Sequence, residues 1–226
     1  ITFEETVALA EKWFSPIPRR HVPRRSLPME PMQTEERRLT VERNVPVDAL
    51  YMAFHMCSRN HPDYYAFDML SDLLSSGRSS RFVQHLVQDK QIFNSIDAYI
   101  SGSIDNGLFH IVGKPAPEKT LEEAEKAIWE ELALLTEGSI DENELEKVKN
   151  RYESEQIFNN LNYLNVATNL AYFELIGKAE DINTEVEKYR SVTQEQIKRA
   201  AKQTFLPENC SVLYYKAAAK GASHTP

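Results

Sequence analysis

The chain has 226 residues, 42% apolar and 27% charged, with a net charge of −8, the make-up of a globular protein with enough material to bury a core. The acidic balance excludes the Lys/Arg excess of a nucleic-acid binder. No stretch reaches the length of a membrane span, and seven glycines leave little for a phosphate-cradling loop.

The chain starts at Ile1 and shows no leader, which says nothing of a longer parent. Thr2 and Glu5 form a capping box ahead of Val7, Ala10 and Phe14 at helical spacing, and Pro16 and Pro18 end that helix. A helix this short cannot bury its apolar face alone. Residues 1–14 therefore read as the last helix of a missing N-terminal domain. Residues 15–37 hold five prolines and several arginines, the composition of an extended linker. The main domain is expected over 38–216, with a disordered tail over 217–226.

Leu39, Val41, Arg43 and Val45 alternate as a strand, and 44–48 reads as a turn. Residues 50–57 are apolar almost throughout, as in a strand buried on both faces. His61-Pro62-Asp63 opens a helix with Pro62 in its first turn. A break at 75–80 precedes a shorter helix with Phe82, Val83 and Leu86. Strands follow over 92–101 and 107–114, with Asp105-Asn106-Gly107 as a hairpin signal.

The rest is mostly helical. Thr120 with Glu123, Ser139 with Glu142, and Thr193 with Gln196 mark three helix starts; Leu161, Leu164, Thr168, Ala171 and Leu175 form a stripe on another; Val212–Tyr215 closes the chain as a strand. Hairpins joining the strand pairs predict an α+β fold: a mostly antiparallel or mixed sheet with helices packed on one face.

Few residues carry obvious chemistry. The two cysteines, Cys57 and Cys210, fit no zinc spacing and read as small apolar side chains in strands, a disulfide between them staying open. Among His21, His55, His61, His85, His110 and His224, no two stand at i, i+4 with a carboxylate between, so neither HExxH nor HxxEH is present. His85 and Asp89 lie one turn apart, but two ligands are too few for zinc, and the pair reads as a helix surface. His55 and His110 read as satisfied sheet histidines. No GxSxG elbow exists. The carboxylates of 118–155 mostly fall off the apolar stripes, as on a solvated face.

One segment is more informative. Gly77-Arg78-Ser79-Ser80-Arg81-Phe82-Val83-Gln84-His85-Leu86 resembles the Gly-x-Ser-Ser-Arg-Leu pattern of the pitrilysin/insulinase zinc peptidases, which include mitochondrial processing peptidase. Glu144-Leu145-Glu146-Lys147-Val148-Lys149 and Phe14-Ser15-Pro16-Ile17-Pro18 are similar to two further stretches of that family, and the order of elements over 1–216 matches its C-terminal half. The resemblance implies a two-half clamshell. One half binds zinc through His-x-x-Glu-His and a distant glutamate, with the motif glutamate as general base. The other closes over the peptide, and in active members an Arg and a Tyr following the Gly-Ser-Ser-Arg helix hydrogen-bond the substrate near the scissile carbonyl.

Carried onto this sequence, that Arg falls on Val87 and that Tyr on Asn94. Valine donates nothing, and asparagine is shorter and has no ring. Three readings follow. In the first, the chain is the non-metal half of a zinc metalloendopeptidase subunit, inactive alone. It encloses peptide substrate against the zinc-bearing N-terminal domain, and a homologous second subunit supplies the missing pair. The chain itself needs no cofactor, the zinc lying in the parent or partner; nucleic acid and a membrane span are not expected, and a soluble compartment, cytoplasmic or periplasmic, is. In the second, the subunit has the same fold and a purely structural, assembly role. The third, an unrelated α+β binding module, leaves the Gly-Ser-Ser-Arg turn unexplained.

Overall fold

The structure is a computed structural model that describes residues 1–21, 28 and 30–218. It divides into two units, Ile1–Met32 and Gln33 onward. The first carries α1 (Phe3–Phe14), whose Thr2 side chain accepts from Glu5 N while the Glu5 carboxylate accepts from Thr2 N, the expected capping box. No α1 residue is buried, and Phe3, Trp13 and Phe14 stand open to solvent. Residues 22–27 and 29 of the expected linker lie outside the described residues, as does 219–226 of the expected tail.

The second unit is α+β. It contains β1 (Arg37–Arg43), β2 (Ala49–Ser58), α2 (Tyr64–Ser75), a π-helix (Phe82–Asp89), β3 (Phe93–Ser101), β4 (Asn106–Pro115), α3 (Leu121–Glu137), α4 (Glu142–Asn159), α5 (Tyr163–Ile176), α6 (Glu185–Arg190), α7 (Gln194–Thr204) and β5 (Cys210–Ala217). The strands lie in the order β1-β5-β2-β4-β3. β5 runs parallel to β1, and the other pairings are antiparallel.

The expected pairing of β1 with β2 is therefore corrected: β5 inserts between them. Ala217, expected in the tail, ends β5. The β3–β4 hairpin is present, but its turn falls on 102–105, and Asn106 and Gly107 already belong to β4. α2 starts after Pro62, at Tyr64. The helix expected to start at Ser139 is capped by Asp141, whose carboxylate accepts from Asn143 N, in keeping with the rank of aspartate as an N-cap. Thr120 and Thr193 cap as expected.

One face of the sheet packs on the helices. Leu50, Met52 and Phe54 of β2 and Phe109 and Ile111 of β4 meet Leu70 and Leu74 of α2, Ile128 and Leu132 of α3, and Ile197 of α7 in a single core. Phe54 stands edge-on to Trp129 and Phe205, 5.7 and 5.2 Å between centroids. Cys57 and Cys210 are free thiols. The buried Glu125 of α3 accepts from Arg38 of β1, Tyr214 of β5 and Trp129, tying the far edge of the sheet to a helix.

The other face is open. Leu39, Leu213, Tyr51 and Val112 stand in register across β1, β5, β2 and β4, with Leu39 60% and Tyr51 39% exposed. β2 is thus buried on one face rather than both, although its sequence is apolar on both. On this face His110 stacks on Tyr99 at 4.9 Å and meets the Ser101 hydroxyl at 3.0 Å.

α2 itself carries two half-buried acids, Asp68 and Asp72. Burial, reinforced by Asp68 one turn earlier, lifts the Asp72 carboxyl to about 6, against the weaker pull of Ser76 and Arg151. The native state therefore holds this proton between about pH 4 and pH 6, where an unfolded chain has released it. More protons are bound in the native state, so this contribution to stability falls as pH rises through that window. Asp72→Asn is expected to raise stability at pH 7 by about 1–2 kcal/mol and to change little at pH 4. Equal melting of the two proteins at pH 7 removes this account.

Candidate functional site

A cavity of about 540 Å³ opens beside the edge strand β3, lined by Val87, Lys90, Gln91, Phe93, Asn94, Ala116, Pro117 and Lys119. Val87 and Asn94, seven residues apart, both line it. Val87 comes from the π-helix, half-buried against the core, and Asn94 stands exposed on β3.

Irregular backbone builds this cavity. The π-helix closes with Lys90 N donating to His85 O, and Ile92 N then reaches Leu86 O at 2.8 Å. Such wide turns are rare and frequent at functional sites. Gln91 then takes a left-handed conformation at φ 50°. Across β3 and β4, Phe93 faces Pro115 and Ser95 faces Lys114, which leaves Asn94 as the extra residue of a β-bulge. A bulge re-aims the side chain it carries. On the opposite rim Glu118 is also left-handed, at φ 70°. These are the only two non-glycine residues with positive φ among those described. Each such residue costs on the order of 1 kcal/mol. The Phe93 ring lies against Gly113 of β4, where a Cβ would come within 2.3 Å of it.

The lining holds no hydroxyl, thiol, imidazole or carboxylate. Its polar equipment is the Asn94 and Gln91 amides and the two ammonium groups of Lys90 and Lys119. Lys90 lies 3.6 Å from Glu130, both of them about half exposed, a pair that contributes little. Such a surface can hold a polar chain and donate to its carbonyls. It offers no general base for water. Sequence reasoning missed Lys90, Gln91 and Lys119, because the bulge and left-handed turns that bring 87–94 against 116–119 leave no periodic signal.

The Gly-Ser-Ser-Arg turn positions the π-helix. Gly77 sits at φ 87°, where a side chain is strained, and its carbonyl accepts from the Ser80 hydroxyl at 2.7 Å. Arg81 grips Glu144 of α4 through Nε and Nη2, both at 2.9 Å, and Nη2 also reaches Ser139 O. Lys147 donates to the Ser79 hydroxyl at 3.0 Å. Arg81 thus ties the start of the π-helix to α4. Two of the three stretches that carried the resemblance, 77–86 and 144–149, are in direct contact.

His85 does not pair with Asp89. Its Nδ1 lies 2.7 Å from Oε1 of Glu131 on α3, whose carboxylate is 1% exposed and whose Oε2 has no partner among the described residues. Among the described residues no three His, Cys, Asp or Glu side chains stand so that they could hold a metal ion. The donor set of the described residues does not fit zinc.

The sequence profile of the peptidase M16 inactive domain matches residues 1–152. The zinc protease YmxG of Bacillus subtilis is 24% identical over 197 residues, 86% of this chain and 47% of that protein. The chain thus spans about half the length of this curated relative. A protease from Helicobacter pylori superposes with a TM-score of 0.85 at 21% identity, over 96% of this chain and 53% of that one. A peptidase M16 inactive domain from Pseudomonas fluorescens gives 0.81 at 15% identity, over 100% and 53%. With two thirds of its length matched by that profile and its fold shared by these structures, the chain belongs to the peptidase M16 inactive-domain family.

Proposed function

We propose that the chain is the non-metal half of a zinc metalloendopeptidase subunit. Its part is to enclose an extended peptide against a zinc-bearing half, and it is not catalytic alone. The observation that carries this reading is the cavity beside β3. Val87 and Asn94, where the family resemblance puts substrate-facing donors, line one cavity, and that cavity has amide and ammonium donors and no hydrolytic group. The open sheet face with Tyr51, Val112 and Leu213 supports it, since an apolar strand face left in water marks a place for a partner.

Within this reading Lys90, Lys119 and Asn94 hold the peptide backbone, and the metal-bound water is activated elsewhere. A homologous second subunit carrying Arg and Tyr at the positions matching Val87 and Asn94 supplies the donors missing here. The substitution at Val87, which removes every donor from that side chain, favours the alternative of a non-catalytic assembly subunit.

One experiment separates them. The full-length subunit, with its partner subunit, is expected to cleave an unfolded polypeptide, and a zinc chelator to abolish the cleavage. This chain alone is expected to cleave nothing. Cleavage that persists in excess chelator overturns the zinc reading, and none by the complex leaves the assembly reading.

A further inference from the structure

The longest run without Asp, Glu, Lys or Arg is 156–173, at the end of α4 and through most of α5, in a chain that is 27% charged. It is not buried. Ile157 is 60% exposed, Phe158 70%, Leu161 74%, Tyr163 90%, Leu164 72% and Leu175 74%. Of all α5 residues only Phe173 is buried. The stripe with Leu161, Leu164 and Leu175 faces out.

We infer that this hairpin of α4 and α5 is a permanent docking surface for the zinc-bearing half of the same polypeptide. The inference rests on the proposed two-half reading and adds the surface through which the halves hold together. Three observations select this occupant. The composition is that of an interface core, depleted in charge and carrying aromatics. An apolar face this broad needs cover throughout the life of the protein, as in obligate interfaces, which a half on the same chain provides. The relatives of known length are about twice as long as this chain, so a body of comparable size is at hand. A membrane surface is disfavoured, because the nearest charge on each side of the run is acidic, Glu155 and Glu174, and anionic headgroups call for lysine and arginine.

The test is hydrogen–deuterium exchange on the full-length subunit and on its Leu161→Glu/Leu164→Glu variant, with chelator-sensitive cleavage measured on the same samples. Both leucines are largely exposed in this unit, so its own fold does not depend on them. Peptides spanning 157–175 are expected to exchange at least about 100-fold faster in the variant, while those of β2 keep their rate. Equal exchange in both proteins overturns the inference, as does protection that disappears on dilution, which would mark a second copy as the occupant. Loss of protection in the variant without cleavage by the wild type would keep this surface and sink the catalytic reading. Cleavage with 157–175 unprotected would do the reverse.

Discussion

Arg59→Met is expected to cost about 3–5 kcal/mol, the range for breaking a buried ion pair by removing one partner. The Arg59 side chain is 9% exposed and that of Glu185 8%, and the guanidinium binds the carboxylate directly. Arg59 also lies over the Tyr64 ring, 4.4 Å from its centroid. Tyr65 donates to the other carboxylate oxygen at 3.1 Å. Without Arg59, Glu185 keeps that hydroxyl and the half-exposed Lys188 at 3.7 Å, too little to compensate a desolvated charge. Converting Glu185 to Met as well removes the uncompensated charge and should restore most of the loss. Urea titration of the two variants measures both terms. A single-variant loss under about 1 kcal/mol would mean that the pair behaves as a surface contact and does not anchor α6 to the end of β2.

The second large effect is expected from Phe54→Ala, a loss of about 3–5 kcal/mol. Phe54 is fully buried at the centre of the sheet and touches rings from two different elements, Trp129 of α3 and Phe205 just after α7. Truncation removes the burial of the ring and both edge-on contacts, each worth about 0.5–1.5 kcal/mol beyond its area. It also leaves a cavity whose walls belong to a sheet and two helices and cannot collapse together. Phe54→Leu should lose less than half as much. A loss of under 1 kcal/mol for alanine, read from the same urea titration, would show that the helical layer re-packs freely onto the sheet.

Local signals in the sequence were reliable where the chemistry is local. Thr2, Thr120 and Thr193 cap their helices because each hydroxyl and the acid or amide three residues on satisfy two orphan backbone groups at once. The α+β class followed from alternation in the strands and helical spacing after residue 120. What could not be read depends on distant parts of the chain. The turn at 44–48 points to a β1–β2 hairpin, and nothing near it reveals that a strand about 170 residues later takes the place between. Periodicity shows that α5 has an apolar stripe but carries no sign of what the stripe faces.

The site divides in the same way. Val87 and Asn94 were located by motif counting, and they line a common cavity. The lysines and the amide around them came together through a π-helix, a bulge and two left-handed residues, each a deviation from the period on which sequence reading depends. The Arg81–Glu144 contact lies between these cases. Both stretches were recognisable, and only the fold showed that one holds the other.

The position of β5 has a consequence for how this molecule is made. The last of the five described strands to leave the ribosome, β5, hydrogen-bonds on both sides, to β1 and to β2. Until residues 210–217 emerge, the nascent sheet can hold only β2, β4 and β3, while β1, synthesised before them, waits without a strand to pair with. One edge of β2, with its apolar side chains, stays open until then, which is the condition under which unfinished chains stick to one another. Closure of the sheet is thus a late event that joins the two ends of this unit in one step, and chains stopped short of Cys210 should be the ones that chaperones hold and proteases remove.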